Sequence, residues 1–201
     1  MQWRFRLDVV ARQLVEQWKL TAGDSIVAVE PRGAARDARC VVRLAEGAPV
    51  GLRPAWRGEG YRVFYMYNAT IAAARGALPP DAQGAAILDD GSYFFLSDAG
   101  DLRAFYRRLR GHVAPLDLAR IVVRFHGHAG ERILDGRAPG APKVAARGRG
   151  FIALPVVRAA PPRIDFCTVV PRLGAGAARI DRWRVEERGG ELGWSRRAIV
   201  P

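Results

Sequence analysis

Three histidines, His112, His126 and His128, fall within 17 positions of this 201-residue chain. The pair in His126-Gly127-His128 has a spacing that can bring two imidazoles to one point. Residues two apart on a strand share a face, so Val122, Arg124, His126 and His128 are expected together. Glu131 or Asp135 can then complete a two-histidine, one-carboxylate site of the kind that holds non-haem iron, and zinc is chemically compatible as well. A small metal-dependent enzyme centred on His126, His128 and Glu131, with a transition metal as cofactor, is the enzymatic alternative that this cluster allows.

A second constellation is electrostatic. Arg103, Arg107 and Arg110 recur at four and three on an expected helix, opposite its apolar residues, with Arg108 at the border. Arginines late in a helix also complement its dipole. Further along, Lys143, Arg147 and Arg149 occur in a stretch without acids, and Arg147-Gly148-Arg149-Gly150 leaves its backbone free to approach an anion. These six residues are the candidate anion-binding set.

Other chemistries have less support. None of Ser25, Ser92, Ser97 or Ser195 lies in G-x-S-x-G. The two cysteines, Cys40 and Cys167, are far apart and lack the C-x-x-C spacing of a zinc or redox site. Asp89-Asp90 precedes Gly91 and is read as turn residues rather than as a catalytic carboxylate pair. There is no Walker A sequence and no G-x-G-x-x-G between a strand and a helix. The His-x-His pair resembles the cupin metal motif, but Arg120 stands where that motif has an upstream glycine, and no second histidine motif follows. The cupin family is therefore excluded.

The whole chain carries 32 Lys and Arg against 20 Asp and Glu, a net charge of +12. Lys19 and Lys143 are its lysines; every other base is arginine, a usage that suggests a GC-rich genome. Composition bias acts on the whole chain alike, yet residues 1–100 hold 12 basic and 11 acidic residues while residues 101–201 hold 20 and 9. A one-sided positive field attracts polyanions. With 49% hydrophobic and 26% charged residues, the chain lies outside the composition of disordered proteins. No run of about 18 apolar residues marks a membrane span, and Met1-Gln2-Trp3-Arg4-Phe5-Arg6 lacks a signal-peptide core, so cytoplasmic localisation without membrane insertion is expected.

The elements that must position these residues follow from periodicity. Leu7, Val10, Ala11, Leu14 and Trp18 predict an amphipathic helix ended by Thr21-Ala22-Gly23-Asp24. Ser25 to Glu30 and Arg39 to Ala45 predict a hairpin, Gly47 to Gly60 reads as mostly irregular, and Tyr61 to Tyr67 predicts a strand. Ala85 to Leu88 and Tyr93 to Leu96 flank an Asp-Gly turn expected to be type I′. Asp98 caps a second helix with Leu102, Phe105, Tyr106 and Leu109 on its buried side, closed by Gly111. Strands are then predicted at Leu118 to Phe125, from Ile133, at Phe151 to Arg158, Ile164 to Val170, Ile180 to Val185 and Leu192 to Val200, with a turn-rich stretch over Asp135 to Pro142. A two-residue Gly189-Gly190 turn sets Val185 opposite Trp194, Glu187 opposite Leu192 and Trp183 opposite Arg196.

These readings combine into an α+β fold: a mainly antiparallel sheet, two amphipathic helices and a β-rich C-terminal half. It is read as a single domain over residues 1–201, in which about 118–201 can form a semi-independent lobe. The expected function is a non-enzymatic binding or assembly module whose C-terminal arginines engage an anionic partner, nucleic acid or acidic protein. A structural subunit of a larger assembly is a third alternative, compatible with five tryptophans and edge strands.

Overall fold

Helix α1 (Arg4–Trp18) buries Leu7, Val10, Ala11, Leu14 and Val15, the i, i+3, i+4, i+7 stripe that its sequence carries. The stripe lies on a six-stranded antiparallel meander: β1 (Ile26–Arg32), β2 (Arg39–Leu44), β3 (Val50–Gly58), β4 (Tyr61–Tyr67), β5 (Gly84–Leu88) and β6 (Tyr93–Phe95), paired in sequence order. The computed structural model describes residues 4–18, 25–33, 39–45, 49–67, 83–128, 130–134, 155–159, 162–170 and 179–200. The chain divides into two compact units, residues 1–112 and 113–201. The class is α+β with mostly antiparallel strands, as expected.

In the first unit Cys40, Val42, Val50, Leu52, Phe64, Met66 and Ile87 meet α1 in one apolar core. Alternate residues of β4 point the other way. Tyr61 packs edge-on against Phe105 of the second helix α2 (Ala99–Arg108), with ring centroids 5.4 Å apart, and Phe94 meets the same ring at 6.1 Å. Both faces of β4 are thus covered, which suits its run of aromatic and β-branched residues.

Two local expectations in this unit change. Most of Gly47–Gly60 is strand rather than irregular chain: β3 accommodates Pro54 beside the register shift between Pro54 and Trp56 and beyond Leu52, the last β3 residue paired with β2. The turn between β5 and β6 is not the type I′ turn centred on Asp90-Gly91. Gly91 N donates to Leu88 O at 3.0 Å and Leu88 N to Ser92 O at 2.8 Å, which places Asp89-Asp90 at the centre and Gly91, at φ +87°, in the following left-handed position. This is the three-residue hairpin loop with a glycine bulge.

The second unit pairs β11 (Glu191–Val200), β10 (Arg179–Arg188) and β9 (Arg163–Val170) antiparallel, and the far edge of β9 receives β7 (Arg132–Ile133) and β8 (Val156–Arg158). Val185 lies opposite Trp194, Glu187 opposite Leu192 and Trp183 opposite Arg196, the register set by Gly189-Gly190, whose φ values are +59° and +87°. The strand expected at Leu118–Phe125 is instead a third helix, α3 (Pro115–His126), packed against β7, β9 and β10. Leu118, Ile121, Val122 and Phe125 repeat at three, four and seven, and Pro115 is preorganised for the first helical turn. Among the described residues there are therefore three helices where two were expected.

Candidate anion-binding site and the histidine cluster

Helix α2 carries the first part of the candidate site. The Asp98 carboxylate accepts from Asp101 N at 2.8 Å, and the Asp101 carboxylate reaches back to accept from Phe95 N at 2.9 Å, so the helix start is satisfied from both sides. Leu102, Phe105 and Tyr106 are buried, which leaves Arg103, Arg107, Arg108 and Arg110 exposed on the other side, Arg110 in the turn that follows the helix. At 1.5 Å per residue, Arg103 and Arg107 stand about 6 Å apart along the axis.

Arg108 has a positioning contact. Its Nη2 donates to Asp90 Oδ2 at 3.0 Å, tying the helix to the β5–β6 turn. The Asp90 carboxyl is held down at about 2 by the Ser92 hydroxyl at 2.5 Å, the Ser92 backbone N–H at 2.8 Å and then the Arg108 guanidinium. Ser92 is thereby a turn residue whose hydroxyl serves the fold. Lys143, Arg147, Arg149 and Asp135, like the turn-rich stretch 135–142, lie outside the described residues.

The histidines are not brought to one point on a strand face. His126 ends α3 and packs its ring 4.7 Å from that of Trp194, whereas His128 follows Gly127 in the next loop. Gly127 is a place where only glycine fits, because a Cβ there would lie 2.3 Å from Val123 O and 2.7 Å from Glu131 Oε2. That close approach lets His128 N donate to Glu131 Oε2 at 2.6 Å. Glu131 Oε1 accepts from Trp183 Nε1 at 2.6 Å and from the Thr168 hydroxyl. Its carboxylate is fully enclosed and committed to these donors. Among the described residues no group of three or more His, Cys, Asp or Glu is placed to hold a metal ion.

What forms instead is a buried charge cluster. Asp181 is buried; its Oδ1 accepts from Arg179 Nε at 2.7 Å, and its Oδ2 faces Arg196 Nε at 3.6 Å and His128 Nε2 at 3.9 Å, both too long for direct hydrogen bonds. The Arg196 guanidinium also lies 5.4 Å from the centroid of the Trp183 ring and 3.8 Å from Glu131 Oε2. Asp181, Thr168, Trp183 and Arg196 are distant in sequence from His128 and Glu131, and their assembly depends on strand register.

Arginines outside the candidate anion-binding set lie on the opposite face of this sheet, which also carries the buried Cys167 and Ile180. Strand pairing aligns Arg163 with Glu186, Asp165 with Arg184 and Ser195, and Arg182 with Arg197, while Arg158 of β8 aligns with Arg163. The signal was present in the alternation Arg182-Trp183-Arg184-Val185, which puts arginines on one face and core residues on the other. Asp165 takes Arg163 at 2.5 Å and Arg184 at 3.0 Å; burial alone would raise its pKa, but these two hydrogen bonds outweigh it and hold the carboxyl below its ordinary value. Glu186 takes Arg188 at 2.8 Å.

The unit boundary also redistributes charge. Residues 1–112 hold 16 basic and 12 acidic residues and residues 113–201 hold 16 and 8, so both units are net positive and α2 belongs to the first. Cys40 is no nucleophile: burial first, then the charges of Asp8 and Glu30, push its thiol up to about 11, which keeps it protonated at neutral pH. No helix among the described residues is long and apolar enough to cross a membrane. No family model, no curated protein and no solved structure matches the chain.

Proposed function

We propose that the protein is a non-enzymatic binding or assembly module that engages an anionic partner through exposed arginines of residues 101–201. The observation that carries this reading is the row Arg103, Arg107 and Arg110, exposed along and just beyond a helix whose other side is buried and whose orientation is tied down by Arg108 and Asp90. A fixed row of guanidinium groups recognises carboxylates or phosphates by charge and by bidentate geometry. The commitment of Glu131 to Trp183, Thr168 and the His128 backbone speaks for this reading over the metal-dependent enzyme.

The test is salt-dependent association measured by fluorescence anisotropy, with a labelled duplex oligonucleotide and labelled polyglutamate as anionic probes. Neutralising phosphates releases counterions, so affinity for the duplex is expected to fall with salt at a log–log slope of roughly 0.9 per phosphate contacted. Replacing Arg103, Arg107 and Arg110 together by glutamine is expected to flatten that slope by about 2 to 3, with the helix core intact. Arg12→Gln with Arg57→Gln, two exposed positions of the first unit outside α2, serves as the control and is expected to leave the slope nearly unchanged. Failure of the wild type to bind either probe overturns the reading.

A further inference from the structure

We infer that the partner of the α2 arginine row is an acidic helix of another protein, one that carries carboxylates at i, i+4 and i+7. This rests on reading α2 as the anion-binding element and names the class of its partner. With 3.6 residues per turn, Arg103 and Arg107 lie about 40° apart around the α2 axis and about 6 Å apart along it. Arg110 extends the row into the turn beyond the helix. Residues i and i+4 of a second helix laid alongside have the same separation, so each guanidinium can meet one carboxylate as a forked pair. Arg103, Arg107 and Arg110 each also take part in an interaction within the protein. A guanidinium carries five N–H donors, more than one carboxylate accepts, so an internal contact does not exhaust it.

The surface beside the row suits a helix. Gly100 lies about 60° around the axis from Arg103, and Ala104 lies about 60° from Arg107 on the same side. Gly100 is exposed and Ala104 half-buried, and neither reaches beyond Cβ. A second helix can therefore approach to an ordinary packing distance of about 8–10 Å while its carboxylates reach the arginines along one edge. Ion pairs flanking a close helix contact are the arrangement that sets partner choice between paired helices.

The neighbouring acids favour a narrow partner over nucleic acid. Protein–nucleic acid interfaces are strongly positive, yet residues 89–112 balance Arg103, Arg107, Arg108 and Arg110 against Asp89, Asp90, Asp98 and Asp101. Asp90 is 3.0 Å from Arg108 and Asp89 pairs with Arg62, and the two carboxylates are 47% and 59% exposed. Arg108 stands about 100° around the axis from Arg107, so these carboxylates flank the row without interrupting it. A helix about 10 Å across can follow the row alone. A duplex spreads its phosphates across grooves about 12 and 6 Å wide and brings some of them against Asp89 and Asp90, a like-charge contact that selects against it.

The experiment uses the full chain, fluorescence anisotropy at low ionic strength, and three labelled probes: a lactam-bridged helical peptide with glutamates at i, i+4 and i+7, a lactam-bridged peptide of the same composition with those glutamates scrambled, and a duplex oligonucleotide. An exposed ion pair contributes roughly a factor of two, so three in register are expected to make the patterned peptide bind about eightfold more tightly than the scrambled one. Arg107→Glu is expected to abolish that preference, and lysine in place of the peptide's central glutamate to restore binding to this variant; circular dichroism confirms that the variant folds. Equal affinity of the wild type for the two peptides overturns the acidic helix and leaves the arginine row standing. Changing Arg103, Arg107 and Arg110 together to glutamine is expected to weaken the patterned peptide by a larger factor than the duplex, and the reverse order overturns the partner class. If the triple variant binds every probe as the wild type does, the α2 reading fails together with its partner.

Discussion

The two sheets bury their covered faces by different means. Under α1 the first sheet contributes Val42, Val50, Leu52, Phe64, Met66 and Ile87, an apolar face that needs only volume and shape. Thr168, Asp181 and Glu187, the buried polar and charged residues among those described, all belong to the second unit, where the Glu131 carboxylate is enclosed as well. An apolar core loses stability in proportion to the volume removed. A buried ionic cluster behaves discontinuously, because removing one member leaves its partners desolvated and uncompensated. The first unit should therefore tolerate change that the second does not.

The largest effect expected from that contrast is at Glu131. Glu131→Ala removes the short acceptor of the Trp183 indole N–H, the Thr168 hydroxyl and the His128 N–H, leaving Trp183 Nε1 only Thr168 Oγ1 at 3.1 Å and the Thr168 hydroxyl only Asp181 O at 3.4 Å, and is expected to destabilise the second unit by about 3–5 kcal/mol. Ile87→Val, deep in the first unit, is expected to cost about 0.5–1.5 kcal/mol. Hydrogen exchange, read separately over β4–β5 and β9–β10, measures both; equal losses in the two would show that the cluster is no more brittle than the apolar core. A smaller loss is expected at the β10–β11 turn, where Gly189 and Gly190 both adopt positive φ. Valine at both positions adds strain of about 1–2 kcal/mol each and should appear as a lower urea midpoint with altered tryptophan emission.

The smallest effect concerns Asp90 in the first unit. Its folded pKa of about 2 lies below the ordinary 3.8, so its contribution is present above pH 4 and is lost as pH falls towards 2. The group is exposed, and Asp90→Asn is expected to cost no more than about 1 kcal/mol at pH 7 and almost nothing at pH 2. Urea unfolding at the two pH values checks the sign. A loss that grows on acidification would mean that Asp90 does not owe its low pKa to these contacts.

How much of this could be read from the sequence depends on the range of the interaction. The β10–β11 register was legible because a two-residue glycine turn fixes every pair beyond it, and the α2 cap was legible because Asp98 and Asp101 stand three apart. Helix α3 was misread because Ile121, Val122 and Val123 favour strands by type while their neighbours recur with helical spacing; tertiary packing decided for the helix. With that error went the shared face of His126 and His128. The partners of Glu131 come from β9 and β10, and no local pattern announces that Thr168 and Trp183 will converge on one carboxylate. The arginines of β10 were written in a period of two, but their alignment across three strands required the register of both neighbours of β10.

The tie between Arg108 and Asp90 has a kinetic consequence. Because the turn that holds Asp90 is itself closed by backbone hydrogen bonds, the backbone of α2 is ordered before any partner arrives. The entropy of fixing that helix belongs to folding, and encounter is left with little beyond side-chain rotamers to arrange. If α2 engages an anionic partner as proposed, that association is expected to proceed without a slow conformational step, at a rate governed by long-range electrostatic steering.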